Sequence, residues 1–128
     1  APMVGRGGAY GDIDGDGDLD LLLVPATGPV RLLRNDVATT RWLRVKLESA
    51  RSPHDGLGAR VELQTSAGTR RRIVTPTHGY LSQSEPTLTF GFAPSESPLQ
   101  LRVRWPSGAE QTLDGLPLAQ VLAVREPQ

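Results

Sequence analysis

The densest chemistry in the chain lies in nine residues. Asp12, Asp14, Asp16, Asp18 and Asp20 alternate with Ile13, Gly15, Gly17 and Leu19. Such a set offers only hard oxygen donors, and Ca²⁺ takes about six to eight oxygens at about 2.3–2.6 Å. Asp12, Asp14 and Asp16 fall at loop positions 1, 3 and 5, where alternate ligands let a tight loop wrap an ion. Gly17, at position 6, permits the positive φ of a sharp turn. Asp18 would offer its backbone carbonyl from position 7, and Asp20 would close the loop from position 9. Position 12 is Leu23, where a helix-flanked calcium loop needs a bidentate glutamate, and the flanks read as strand. The pattern predicts a strand–loop–strand Ca²⁺ site. Mg²⁺, with its rigid octahedral shell, suits it less. Charge repulsion opposes a merely solvated turn: carboxylates 4 Å apart repel by at most about 4 kcal/mol per pair at an effective dielectric of about 20.

Other residue types that could do chemistry lack the companions that chemistry needs. His54 and His78 are the only histidines, and His78 lies near Ser82 and Ser84. No Gly-x-Ser-x-Gly elbow accompanies them and no acid is placed to orient the imidazole, so the serines read as loop residues bonding their own backbone. A glycosidase carboxylate pair drawn from the aspartates would be consumed as metal ligands. Gly56-Leu57-Gly58 sets a turn without the context of a phosphate binder. No catalytic residue is assigned, and the chain reads as non-enzymatic. Arg70-Arg71-Arg72 is the one basic run; on a strand its members alternate faces, giving a solvated face or a patch for sulfated glycans or another anionic polymer. With Tyr80 these three arginines are the candidate partner-binding residues. Trp42 and Trp105 read as core or domain-seam residues. A carbohydrate-binding module would instead expose Trp42, Trp105 or Tyr80.

Composition bounds the rest. The 128 residues are 38% hydrophobic and 5% aromatic, with 14 glycines and 11 prolines, which favours turn-rich β structure over long helices. Without cysteine there is no disulfide framework, thiolate site or cysteine nucleophile. The formal net charge is zero, but outside the aspartate loop 14 basic residues face 9 acidic ones. The arginines are spread along the chain with few aromatics between them, so nucleic acid is not a predicted partner. Nothing resembles a membrane span or a signal peptide.

Short apolar runs punctuated by turn formers predict nine or so strands. Leu21-Leu22-Leu23-Val24, stopped by Pro25, reads as a buried strand, and Val30 to Arg34 as another. From Trp42 to Glu48 the residues alternate, which predicts a sheet with one wet face. Ala59–Gln64 and Thr69–Val74 flank a hairpin turn at Ser66-Ala67-Gly68. Further strands are expected at 87–92, 99–105, 110–113 and 121–125, with an irregular segment from Pro76 to Pro86. The predicted fold is all-β, with a strand–calcium loop–strand unit at 1–36 joined to an antiparallel β-sandwich at 37–128.

The stretch Gly8 to Leu21 resembles the FG-GAP (VCBS-type) repeat, the calcium-loop unit of β-propellers. The chain beyond it resembles the ASPIC/UnbV domain, which follows such repeats in bacterial exported proteins. The residues that carry this second likeness are Trp42–Leu47, Asp55–Val61, Gly79–Pro86, Leu88–Gly91 and Val103–Gly108. Pro53 and His54 stand where that domain usually has asparagine and arginine. The resemblance implies Ca²⁺ ligation by the five aspartates and a non-catalytic interaction or adhesion role. It also implies the C-terminal part of a larger exported protein, extracellular or periplasmic. Calcium sites of extracellular modules hold the ion with Kd of about 10⁻⁴–10⁻³ M, too weakly to fill in cytosol. The expected partner is an extracellular protein or glycan, without membrane insertion, and the alternatives are a carbohydrate-binding module or an accessory domain of an upstream enzyme. The strand edge near residues 4–10 is a possible route to self-association.

Overall fold

The computed structural model describes residues 2–37 and 39–128. It is all-β, and its only helical element among those residues is a 3₁₀ turn at His54–Gly56. The chain divides into two compact units, Thr39–Thr75 with Pro86–Gln128, and Ala1–Ala38 with Pro76–Glu85.

The larger unit holds seven strands in two sheets. Strands β4 (Trp42–Glu48), β7 (Leu88–Gly91) and β10 (Gln120–Arg125) form one sheet in the order β10-β4-β7. Strands β5 (Arg60–Thr65), β6 (Gly68–Ile73), β8 (Pro98–Arg104) and β9 (Glu110–Asp114) form the other in the order β6-β5-β8-β9. Period-2 alternation fixes which side faces in: Val61, Leu63 and Thr65 of β5 are buried, whereas Arg60 and Gln64 are exposed. The core gathers Leu43, Val45, Leu63, Leu101, Val103 and Trp105, each at most 2% exposed, from both sheets. This is the predicted β-sandwich. The wet face expected for β4 is only partly wet: Trp42 and Arg44 are buried, and only Lys46 is exposed. Arg44 tolerates burial because its Nε donates to Thr89 Oγ1 on β7 at 3.1 Å.

One pairing is parallel. β10 runs alongside β4 in the same direction, from Gln120 opposite Leu43 to Arg125 opposite Glu48. Both strands therefore leave the sheet at the same end, and Glu126 emerges beside the loop that follows β4. Its backbone N–H donates to Glu48 O at 2.8 Å. Its carboxylate, 4% exposed as a residue, accepts the N–H groups of Ala50, Arg51 and Ser52 at 2.7–2.9 Å. The hydroxyls of Ser52 and Ser107 complete the set at 2.6 and 2.5 Å. Burial pushes this carboxyl upward, but the Ser107 and Ser52 hydroxyls and the loop N–H groups outweigh it and hold the pKa well below the usual carboxylate range.

The same loop ends at Gly56, where φ is +66° and a Cβ would lie 2.8 Å from Leu47 Cβ and 3.2 Å from Trp105. Only glycine fits both the conformation and the space.

The smaller unit is built differently. Strands β1 (Gly5–Gly11), β2 (Asp20–Pro25) and β3 (Arg31–Leu33) form an antiparallel sheet in that order. The expectation that Leu21–Val24 is buried does not hold: Leu21, Leu22 and Val24 are 38–39% exposed, and Leu32 and Leu33 are about half exposed. A short apolar run followed by proline specifies a strand, not what covers it. The buried hydrophobic cluster lies entirely in the other unit. Segment 76–85 runs along the free edge of β1, where Gly8 and Tyr10 N–H donate to Ser82 and Ser84 Oγ at 3.1 and 3.2 Å. Glu85 N–H returns a bond to Tyr10 O at 3.3 Å. Pairing of a second chain at this part of the edge would have to displace those bonds.

Two outcomes follow from this packing. Gly56→Ala is expected to lower stability by about 1–3 kcal/mol, measured as a shift in urea midpoint at constant slope. The folded Glu126 carboxyl ionises more readily than the unfolded one, whose pKa is about 4.3. Its contribution is therefore present above that value and is lost as pH falls through it towards the folded value. Melting temperature measured from pH 7 to pH 3 should fall less steeply in Glu126→Gln than in the parent, from a lower starting point.

Candidate functional site

The aspartate loop connects β1 to β2 and is folded by hydrogen bonds from its own backbone. Asp12 Oδ1 and Oδ2 accept the N–H groups of Gly15 and Gly17 at 2.7 and 3.0 Å. Gly15 and Gly17 have φ of +80° and +94°, the left-handed conformations that turn these N–H groups inward. Asp20, 2% exposed, accepts Ile13 N–H on Oδ2 and Asn35 N–H on Oδ1, both at 2.9 Å. It thereby joins the start of the loop to the segment after β3. Asp16 Oδ1 accepts Asp18 N–H, and Asp18 Oδ2 accepts Val37 N–H, both at 3.0 Å.

One carboxylate oxygen each from Asp12, Asp14 and Asp20 lies within 4.8 Å of the others, so these three could hold a metal ion. Asp16 and Asp18 stand outside that set. Asp18 Oδ1 is nonetheless the only buried side-chain polar atom among the described residues without a hydrogen-bond partner. Electrostatics separate Asp20 from Asp18. The N–H groups of Ile13 and Asn35 pull the Asp20 carboxyl below the usual range. Burial pushes Asp18 up, and the charges of Asp16, Asp20 and Asp14 add to it against the pull of Val37 N–H.

Sequence reasoning missed Arg34, Asn35 and Val37. Arg34 Nε lies 3.6 Å from Asp14 Oδ2, and its guanidinium also pairs with Asp36. These residues follow β3, and no spacing rule ties them to a loop fifteen residues earlier. They also temper the repulsion argument, since backbone dipoles and one guanidinium already offset part of the crowded negative charge.

The other candidates fall in different places. Arg70 donates to both Glu96 oxygens at 2.6 and 2.7 Å and to Gly91 O, with its guanidinium 5.5 Å from the Phe92 ring centroid. Arg71, on the opposite face, pairs with Glu62 at 2.7 Å. Arg72 lies over the Phe90 ring at 5.9 Å. The run therefore divides, and Arg70 is committed to an internal carboxylate. Tyr80 is 66% exposed beside Leu81, which is 88% exposed with φ of +47°. Trp42 and Trp105 are 8% and 2% exposed and present no sugar platform. His78 meets the Tyr10 ring in a tilted contact, centroids 5.4 Å apart, while Ser82 Oγ donates to Tyr80 O and accepts from Gly8, so no histidine–serine pair forms among the described residues.

The family model described as ASPIC and UnbV matches residues 49–128. The chain belongs to the ASPIC and UnbV family. Cartilage acidic protein 1 of Mus musculus is 34% identical over 97% of this chain. The same-named proteins of Homo sapiens and Xenopus tropicalis are 37% and 36% identical, each over 81% of it. The aligned region is 20% of the mouse relative and 16% of the other two, so this ASPIC and UnbV chain spans a fifth or less of their length. No helix among its described residues is long and apolar enough to cross a membrane.

Asp20 and Asp14 should separate experimentally. In EDTA, Asp20→Ala is expected to speed amide exchange at Ile13 and Asn35, because their acceptor is gone. Asp14→Ala, which loses only a contact with exposed Arg34, should leave both rates unchanged.

Proposed function

We propose that this chain is a calcium-stabilised, non-catalytic interaction module of a larger exported protein, extracellular or periplasmic. Its Asp12, Asp14, Asp16, Asp18 and Asp20 hold one Ca²⁺. The observation that carries this reading is the convergence of Asp12, Asp14 and Asp20 within 4.8 Å, in a loop where Asp18 keeps a buried oxygen without a partner. An all-oxygen, flexible, multiply anionic donor set fits a hard cation of variable coordination. The ion would neutralise the loop and fix its conformation.

The FG-GAP-type reading of the first unit draws support from its exposed apolar residues. By register Leu22, Val24 and Leu32 share one face of the sheet, a surface against which a neighbouring repeat would pack. The much greater length of the relatives and their name, which refers to cartilage, support a module within a larger matrix protein.

A thermal melt of EDTA-treated protein against titrated calcium tests the metal site. At about 2 mM free Ca²⁺ and a Kd of about 10⁻⁴ M the ion adds about 1.8 kcal/mol. The parent's melting temperature should therefore climb with calcium and respond much less to equal magnesium. An Asp14→Ala/Asp16→Ala variant should not respond. A parent indifferent to millimolar calcium would refute the reading.

A further inference from the structure

The outer face of sheet β6-β5-β8-β9 gathers arginines that lie far apart in sequence. Arg60 of β5 stands directly opposite Arg104 of β8, and Arg102 is two residues along β8 on the same face, opposite Glu62. Arg71 of β6 stands on the other side of Glu62. All four arginines are exposed. Cross-strand neighbours of this kind have Cβ atoms about 4.5–5.5 Å apart, and like charges there are destabilising. Two acids offset part of the charge, Glu62 paired with Arg71 and Glu110 paired with Arg104, each at 2.7 Å. Asp114, in the next row, accepts from Gln100 at 2.9 Å. Arg60 and Arg102 have no hydrogen-bond or ion-pair partner among the described residues. Arg51 adds a further exposed, unpartnered guanidinium near the Arg104 end of β8. It sits on the loop gathered by Glu126, whose Ser52 Oγ accepts Ser107 N–H at 3.2 Å.

We propose that this face binds a sulfated polysaccharide, with sulfate groups seated on Arg60, Arg102 and Arg104 and the chain extending towards Arg51. Guanidinium is permanently charged and offers a planar fork to tetrahedral oxyanions. The positive groups are spaced over an open strand surface, which suits an extended polyanion better than a compact phosphate ligand. Next to them, Thr69, Gln64 and Gln100 form an uncharged run, closed at β9 by Asp114, that is able to bond sugar hydroxyls. No aromatic side chain occupies this face, which lacks the stacking platform that single-stranded nucleic acid uses. The sheet belongs to a different unit from the aspartate loop, so failure here would leave the calcium reading standing.

The test is binding of the 128-residue chain to heparin, to fully desulfated heparin and to duplex DNA at about 50 and 200 mM salt. Heparin should bind, with affinity falling as salt rises, and desulfated heparin should not. Arg60→Ser/Arg102→Ser should weaken heparin binding at least about tenfold and reduce the log–log salt slope by about two. Its melting temperature should be no lower than the parent's, since it removes unpaired like charges. Arg6→Ser/Lys46→Ser, an equal charge change at exposed sites off this face, should stay within about twofold of the parent. Absence of heparin binding, equal losses in both variants, or duplex DNA binding as tightly as heparin would each overturn the proposal.

Discussion

Buried carboxylates that collect backbone N–H groups are what give this chain its loops. It has no cysteine and no α-helix among its described residues, and its connections are rich in glycine and proline. Such loops carry backbone donors that must be satisfied without regular structure. Asp20, Glu96 and Glu126, each at most 4% exposed, do this at three separate places. Asp20 ties the acidic loop to the segment after β3, and Glu126 gathers residues 50–52 and Ser107. Glu96 accepts the Thr65 hydroxyl beside the β5–β6 turn, the Ala93 N–H and, on both of its oxygens, one guanidinium nitrogen of Arg70. All three carboxyls are held below their ordinary pKa, with hydrogen bonds to the charged form outweighing burial. An ionised carboxylate accepts several donors at once, and removing one leaves them all unsatisfied.

The two units solve the burial problem unequally. The sandwich encloses its apolar residues between two sheets and closes with the parallel pairing of β10 on β4. That pairing brings Glu126 to the loop after β4, so closure of the sheet and order in the loop are one event. The N-terminal sheet has three strands, and no buried hydrophobic cluster lies among the described residues of its unit. Its order comes from polar contacts: the serine hydroxyls along β1 and the aspartate network at the β1–β2 turn. A sheet held this way should open more readily than the sandwich, because polar contacts near solvent contribute little against the entropy of ordering the chain.

Much of the fold was legible because period-2 alternation and turn residues are local signals. The strands from Trp42, Ala59, Thr69 and Leu99 fall within a residue or so of their expected places, and the Ser66–Gly68 turn sits between β5 and β6. The aspartate spacing marked the loop for the same reason. What escaped reading is non-local. Glu126 and Glu96 are single acids without a motif; the partners of Glu126 lie 19 and 74–76 residues away, and those of Glu96 26–31 residues away apart from the nearby Ala93. Ser82 and Ser84 were expected to serve their own loop. Ser82 does so through Tyr80 O, but both hydroxyls also cap a strand 74 residues away. The arginines looked dispersed because β5 and β8 are forty residues apart in sequence, and register alone makes Arg60 and Arg104 neighbours.

The aspartate loop shows how far a cluster of oxygen donors can be arranged by the chain that carries it. Asp12 and Asp20 are oriented by four N–H bonds, and a carboxylate oxygen can accept more than one partner. A cation reaching them would pay little ordering entropy, which favours binding. Arg34 acts in the opposite direction, because its 3.6 Å approach to Asp14 would have to yield to a competing positive charge. Asp14 and Asp16 are exposed, so their part of any cage would still have to be drawn inward. A half-built donor set opposed by one internal cation would hold a hard cation only weakly. A tighter site would bury all its ligands and spare none of them for a guanidinium.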